Sequence, residues 1–271
     1  MWSIYTTIYL INKNNCYFYK NLVNYSNFVG EDGEVVIGTN KEGIQDGTKD
    51  ILDKFIEDNN LKNVKLLISD ISFSDNTFDG ALKNFALQNT KYSIKIQMDI
   101  DETFVLSQKE RWKQATTYLS RQNGIKALFI PSIDLYGSEK YIRKNYNVSQ
   151  KWRIHKEGLF RGVFNGGKMA NNRISTISSD TCELVDALGN LVPTGHIIPD
   201  DTFLKPINVG LLKDYIYTLH WGYVDLQYRR DINKNWWKEK WEDRSGKPEN
   251  VVTELDKLIR EEVIEHHLLL E

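Results

Sequence analysis

Short apolar, β-branched runs alternate with longer amphipathic ones along the first half of this chain, and that alternation predicts strand followed by helix. Residues 3–11 (SIYTTIYLI) form a first candidate strand and residues 21–28 a short helix; residues 34–39 (EVVIGT) form a second strand. Residues 48–57 (TKDILDKFIE) place Ile51, Leu52 and Phe55 on one helical face, with Thr48 as the capping residue. Residues 64–69 (VKLLIS) are a third strand, 80–88 (GALKNFALQ) a further helix, and 94–99 a fourth strand. This rhythm predicts an α/β domain with a mostly parallel central sheet. Such sheets bind ligands beyond the carboxyl ends of their strands. Thr39, Asp70, Asp99 and Asp101 stand at those ends.

The second half is less regular. Residues 108–122 read as a helix and 125–133 as a strand, in which Pro131 implies an edge position or the strand's end. Residues 215–219 make an apolar-aromatic strand that runs into His220. From Trp221 the composition shifts: Trp236, Trp237 and Trp241 stand among Arg229, Arg230, Lys234, Lys238 and Lys240. Packing on the domain, stacking on an acceptor sugar and single-stranded nucleic acid are three uses for such a mixture. Glu239, Glu242 and Asp243 interrupt the positive surface and set the last aside. Residues 251–270 have helical periodicity, which suits packing on the core or on a second subunit. The expected organisation is a domain over residues 1–220 with a helical C-terminal extension over 221–271.

Charge narrows the class. The 271 residues carry a net charge of −2, so no global footprint for nucleic acid exists. No apolar run approaches the roughly 20 residues of a transmembrane helix, and no basic-then-apolar leader is evident. No transmembrane segment and a cytoplasmic location are therefore expected. Cys16 and Cys182 are too few for a disulfide framework.

The chemistry concentrates in residues 96–102, Ile-Gln-Met-Asp-Ile-Asp-Glu. Three carboxylates so close raise one another's pKa unless a positive charge lies between them. A divalent cation is one answer, and alternation along an extended strand puts Asp99 and Asp101 on the same face. An acidic turn after a buried strand is the other. Lys151, Arg153, His155, Lys156 and Arg161 form a local basic cluster. Cations there would suit a diphosphate, and they equally suit a solvated basic strand. Asp180 and Glu183 are candidate general bases, although Asp-Thr-Cys-Glu also has capping-box spacing.

Together, the strand at 34–39, the Asp46-Gly47-Thr48 turn into a helix, Lys83-Asn84-Phe85-Ala86, and a strand ending Asp99-Ile100-Asp101-Glu102 resemble the family-2-like glycosyltransferases with a GT-A fold. The resemblance covers residues 3–136 best. It departs from the family pattern after the second strand, where Gly38-Thr39-Asn40 replaces an acidic base-contacting residue, so the nucleobase stays open. It implies a GT-A-like nucleotide-diphospho-sugar transferase sandwich. The implied activity moves a sugar from a nucleotide-sugar donor to a carbohydrate or other hydroxyl acceptor, with inversion. The resemblance further implies Mn²⁺ or Mg²⁺ on Asp99 and Asp101 with His220 as a third ligand. Thr7, Thr39, Asp70, Lys83 and Asn84 would line the nucleotide side, with Arg161 on the diphosphate. Asp180 or Glu183 would be the base. Two alternatives remain open: a non-catalytic sugar- or nucleotide-binding protein of the same fold, and a nucleotidyltransferase. Against the latter, residues 11–15 (INKNN) lack the glycine-rich signature after the first strand.

Overall fold

A computed structural model of the chain describes residues 1–8, 16–44, 47–72, 78–143, 149–158, 160–161, 184–185, 194–196, 216–224 and 263–265. The first half is built from β1 (Ser3–Thr7), α1 (Cys16–Val29), β2 (Glu34–Asn40), α2 (Thr48–Asp58), β3 (Val64–Ser69), α3 (Phe78–Gln88) and β4 (Ile94–Gln97). The four strands lie in the order β3-β2-β1-β4, all parallel. Their carboxyl ends therefore share one edge of the sheet. The chain winds outward from β1 to β3 and then crosses back to lay β4 on the other side of β1. The topological switch point thus falls between β1 and β4, where an open α/β sheet leaves a crevice for a ligand.

Most of the second half continues the sheet with mixed direction. It comprises β5 (Glu102–Phe104), α4 (Lys109–Arg121), β6 (Ala127–Tyr136), β7 (Tyr141–Arg143) and β8 (Ser149–Lys156). There follow β9 (Phe160–Arg161), β10 (Leu184–Val185), β11 (Thr194–His196), β12 (Thr218–Tyr223) and β13 (Val263–Glu265). Strands β9 and β10 pair with each other as a separate two-stranded sheet. Strand β8 is inserted antiparallel between β4 and β6. Strand β12 lies parallel to β6 and antiparallel to β5, which brings residue 220 opposite Glu102 and Asp134.

One face of the sheet is covered by α1, α2 and α4, whose Leu22, Tyr25, Phe28, Leu52, Trp112 and Leu119 pack with Ile4, Val35 and Ile37. The other face is covered by α3, with Ala86 and Leu87 on Tyr5 and Val36. That helix sits close because Gly38 has no side chain: a Cβ there would lie 3.0 Å from the Ala86 Cβ.

Three local expectations change, and one strand crosses residue 220. Thr48 is the first helical residue and not the cap; Gly47 takes that place at φ 85°, with no side-chain cap. Glycine reaches this left-handed conformation without strain. Pro131 lies inside β6, at the break where β11, paired with residues 127–129, gives way to β12, paired from Ser132 onward. A gap between partner strands tolerates a residue without an N–H. Strand β12 spans both sides of the expected boundary at residue 220. Val263–Glu265 is a strand on β7, where periodicity predicts helix; the remainder of 251–270 lies outside the described residues. Among the described residues, no helix is long and apolar enough to cross a membrane.

The amino-end edge of the sheet is tied by one buried acid. Glu34 accepts hydrogen bonds from Ser3 Oγ at 2.6 Å and Lys65 Nζ at 2.7 Å, and from the Lys91 N–H. Burial alone would raise its pKa, but these donors outweigh burial and hold it below the ordinary 4.5. A lowered folded-state pKa means stability that is present above about pH 4.5 and lost as pH falls through the folded value. Glu34→Gln should therefore be less stable than wild type by about 1–3 kcal/mol at neutral pH. The gap should close on acidification, read from urea midpoints across the pH range; a gap independent of pH would contradict this.

Candidate functional site

The acidic segment leaves the sheet directly after β4. Residues 99–102 form a turn in which the Glu102 N–H donates to the Asp99 carbonyl at 2.9 Å. Strand alternation therefore ends before Asp99, and the two aspartates do not act as same-face partners. Asp99 accepts from Gln97 Nε2 at 2.8 Å and from an Arg153 Nη at 3.0 Å, with Lys83 Nζ 3.8 Å away. Glu102 is wholly buried; it pairs with Arg153 and accepts from Ser132 Oγ at 2.7 Å. Arg153 is wholly buried too. The basic cluster read at 151–161 is thus no solvated strand at this position: Arg153 and His155 point into the protein from the interior strand β8.

Helix α1 holds the turn from the other side by its main-chain carbonyls. The Tyr25 hydroxyl lies 2.6 Å from the carbonyls of both Asp99 and Glu102, and Asn21 Nδ2 donates to Ile100 O at 2.8 Å. Burial raises the Tyr25 phenol well above its usual range. The charges of Glu102, Asp101 and Asp99 add to this, and only Arg153 opposes it. Tyr25 therefore stays a donor. Downstream, Phe104 stacks on Phe28 at 3.8 Å between ring centroids, with Trp112 edge-on to both. The turn is clamped at each end.

Asp101 faces a different partner. Its Oδ2 lies 3.0 Å from His220 Nε2, while His220 Nδ1 lies 2.7 Å from Asp134 Oδ1. Burial disfavours charge on the imidazole, but Asp101 and Asp134 outweigh it and raise its pKa well above the ordinary 6.5. Both ring nitrogens then carry protons and both donate. Gly222 makes room for this pair: a Cβ there would lie 2.6 Å from His220 Cε1 and 3.3 Å from Asp101 Oδ2.

Of the residues singled out in the sequence, the structure gathers Lys83, Asp99, Asp101 and His220 around the turn. Thr7 and Thr39 are buried at the carboxyl ends of β1 and β2, and Asn84 is half-buried on α3. Asp70 is exposed beyond β3 and pairs with Lys41 at 2.5 Å. The side chain of Arg161, and Asp46, Asp180 and Glu183 altogether, lie outside the described residues. Asp134, Gln97 and Tyr25 were missed. Asp134 carried a signal, being the lone charge in the apolar run Phe-Ile-Pro-Ser-Ile-Asp-Leu-Tyr.

No protein-family model matches this chain, and no curated protein matches it in sequence. Among solved structures, it is similar to TarS 1-349 of S. aureus at 13% identity, covering 95% of this chain and 69% of that one, with a TM-score of 0.43. It is also similar to TarS 1-349 in complex with UDP-GlcNAc at 12% identity, covering 96% and 70%, with a TM-score of 0.39. A third is the mannosyltransferase PcManGT from Pyrobaculum calidifontis in complex with GDP-Man and Mn²⁺, at 13% identity, covering 95% and 69%, with a TM-score of 0.46. Scores below one half carry no argument about the site.

The expected metal set does not fit as arranged. Among the described residues, no group of three or more His, Cys, Asp and Glu side chains is placed to hold a cation. Both ring nitrogens of His220 already face carboxylates, Nε2 that of Asp101 and Nδ1 that of Asp134. Asp99 is already engaged by Arg153 and Lys83. Asp99, Asp101 and His220 are neighbours, but two belong to one ion pair and the third to another.

Because Gly222 lies against the imidazole, Gly222→Ala should push His220 off Asp101 and cost about 1–3 kcal/mol in urea unfolding, as overpacking does. A loss within about 0.5 kcal/mol, the range of an indifferent surface change, would show that the pair does not need the glycine.

Proposed function

We propose that this chain is a glycosyltransferase that takes a sugar from a nucleotide-sugar donor bound at the carboxyl ends of β1, β2 and β4. The observation that supports it most is the placement of the acidic turn, with Lys83 beside it, at the β1/β4 switch point of a parallel α/β half-sheet. A crevice at that point is where such sheets bind nucleotides. The order of motifs along the chain adds to this: the Gly47-Thr48 turn into α2, the Lys83-Asn84-Phe85-Ala86 run on α3, and the turn after β4.

In the reaction, the bond between the anomeric carbon and the diphosphate oxygen breaks. The nucleoside diphosphate leaves with that electron pair. A new bond forms to the acceptor oxygen, whose proton passes to a base; Asp180 or Glu183 is the assignment carried over from the family resemblance, as is inversion. Thr7, Thr39 and Asn84 would face the nucleotide, Asp70 the outer end of the crevice, and Lys83 and Arg161 the diphosphate. Asp101 is the acid best placed to meet a ligand: its side chain is 34% exposed, against 15% for Asp99 and none for Glu102. A divalent cation would share Asp101 with His220, which meets its Oδ2, and no step is assigned to it. That same pairing favours a second reading, a non-catalytic nucleotide- or sugar-binding protein of this fold.

Thermal melts with UDP, GDP, ADP and CMP, each with and without Mn²⁺, in wild type and Asp101→Asn, test the proposal. Ligand at a hundred times its Kd stabilises by about 2.7 kcal/mol, so one nucleotide should raise the melting temperature by several degrees. Asp101→Asn should lose most of that rise. No rise with any nucleotide would overturn the donor reading. A rise that Asp101→Asn keeps in full would favour the non-catalytic reading.

A further inference from the structure

One buried guanidinium touches three side chains along the acidic segment. Arg153, on β8, directs one terminal nitrogen at Asp99 and Glu102 and the other at the side chain of Gln97, with the Gln97 carbonyl 3.3 Å away. These residues stand before the turn, at its first position and at its last. Ile100 and Asp101 between them form the tip, and the Asp101 carboxylate meets His220.

A buried ion cluster of this kind is a poor source of stability, because desolvating the charges offsets most of their attraction. What it does supply is geometry. The planar fork of arginine fixes several acceptors at once, which a lysine ammonium cannot do. Without the fork, Asp99 has Lys83 3.8 Å away as an alternative partner, and a swing toward α3 would rotate the tip that carries Asp101.

We propose that Arg153 is a positioning residue for the ligand site: by holding Asp99 and Glu102 from within the sheet, it sets where Asp101 stands. The inference rests on the donor-site reading for what binds there, and on the geometry alone for what Arg153 does. Its position on a different strand, more than fifty residues downstream of the turn, is the reason a local motif does not reveal it.

Three full-length variants test this: Arg153→Met, Arg153→Lys and the double Arg153→Met/Glu102→Met, which buries no unmatched charge. The control is Leu52→Ala, a core truncation in α2 away from the turn. The first readout is calorimetric Kd for whichever nucleotide stabilises wild type, taken well below every melting temperature. The second is the ¹⁵N–¹H signature of the His220 ring in the ligand-free protein, assigned with His220→Gln. All three Arg153 variants should weaken nucleotide binding by about tenfold or more, the scale of a small misplacement at a reacting site. They should also shift the His220 signals. The double variant should regain melting temperature over Arg153→Met without regaining affinity, and Leu52→Ala should lose melting temperature while keeping both readouts. Arg153 variants that melt lower but keep wild-type affinity and unmoved His220 signals would overturn the proposal. If wild type binds no nucleotide, the donor reading fails by itself; the His220 signals of the ligand-free variants still decide whether Arg153 positions the turn.

Discussion

Everything at the candidate site depends on a positive charge placed inside the sheet where no water reaches it. Arg153 and Glu102 are both wholly buried and paired, and Asp99 closes the group from the more exposed side. A charge taken out of water must keep its partners, so neither the arginine nor the acids can rotate away without leaving an unmatched charge behind. This ties β8, inserted from the second half of the chain, to the carboxyl end of β4. The parallel half-sheet sets the switch point between β1 and β4. The antiparallel insertion fixes the acidic turn beside it.

The consequence is a division among four acids that look alike in composition. Asp99 and Glu102 belong to the framework, compensated by Arg153 with Lys83 near Asp99. Asp101 and Asp134 belong to the surface of the site, bridged by His220, whose two ring nitrogens each meet a carboxylate. Tyr25 and Asn21 fasten the turn by its carbonyls and leave the side chains to the strands. The arrangement compensates its negative charge with groups of the protein itself. Groups of the protein thus offset much of the charge for which a cation was one of the two readings.

The parallel half was legible because its elements obey local rules. Strands beginning at Ser3, Glu34, Val64 and Ile94 lie where β-branched runs predicted them, and α2 and α3 follow their apolar faces. The acidic segment was legible as a cluster, and the structure sets His220 against its Asp101. What escaped were facts of topology. Arg153 and His155 read as part of an exposed basic run because nothing local says that β8 will be enclosed between β4 and β6. Asp99 and Asp101 read as same-face partners because the extended pattern was carried two residues past the point where β4 ends. Asp134, which His220 meets through Nδ1, was missed because its strand was taken to stop at Ile133. For Arg153, His155 and His220 the surroundings were set by long-range pairing, and for Asp99 and Asp101 by a local turn.

The most direct measurement of the central claim is a crystal structure soaked with UDP and, separately, with GDP. The account expects diphosphate density in the crevice between the carboxyl ends of β1 and β4, beside Asp101, with the contacts of Arg153 to Asp99 and Glu102 intact. Density elsewhere on the molecule, or a bound state in which Asp99 has left Arg153 to meet the ligand, would contradict it.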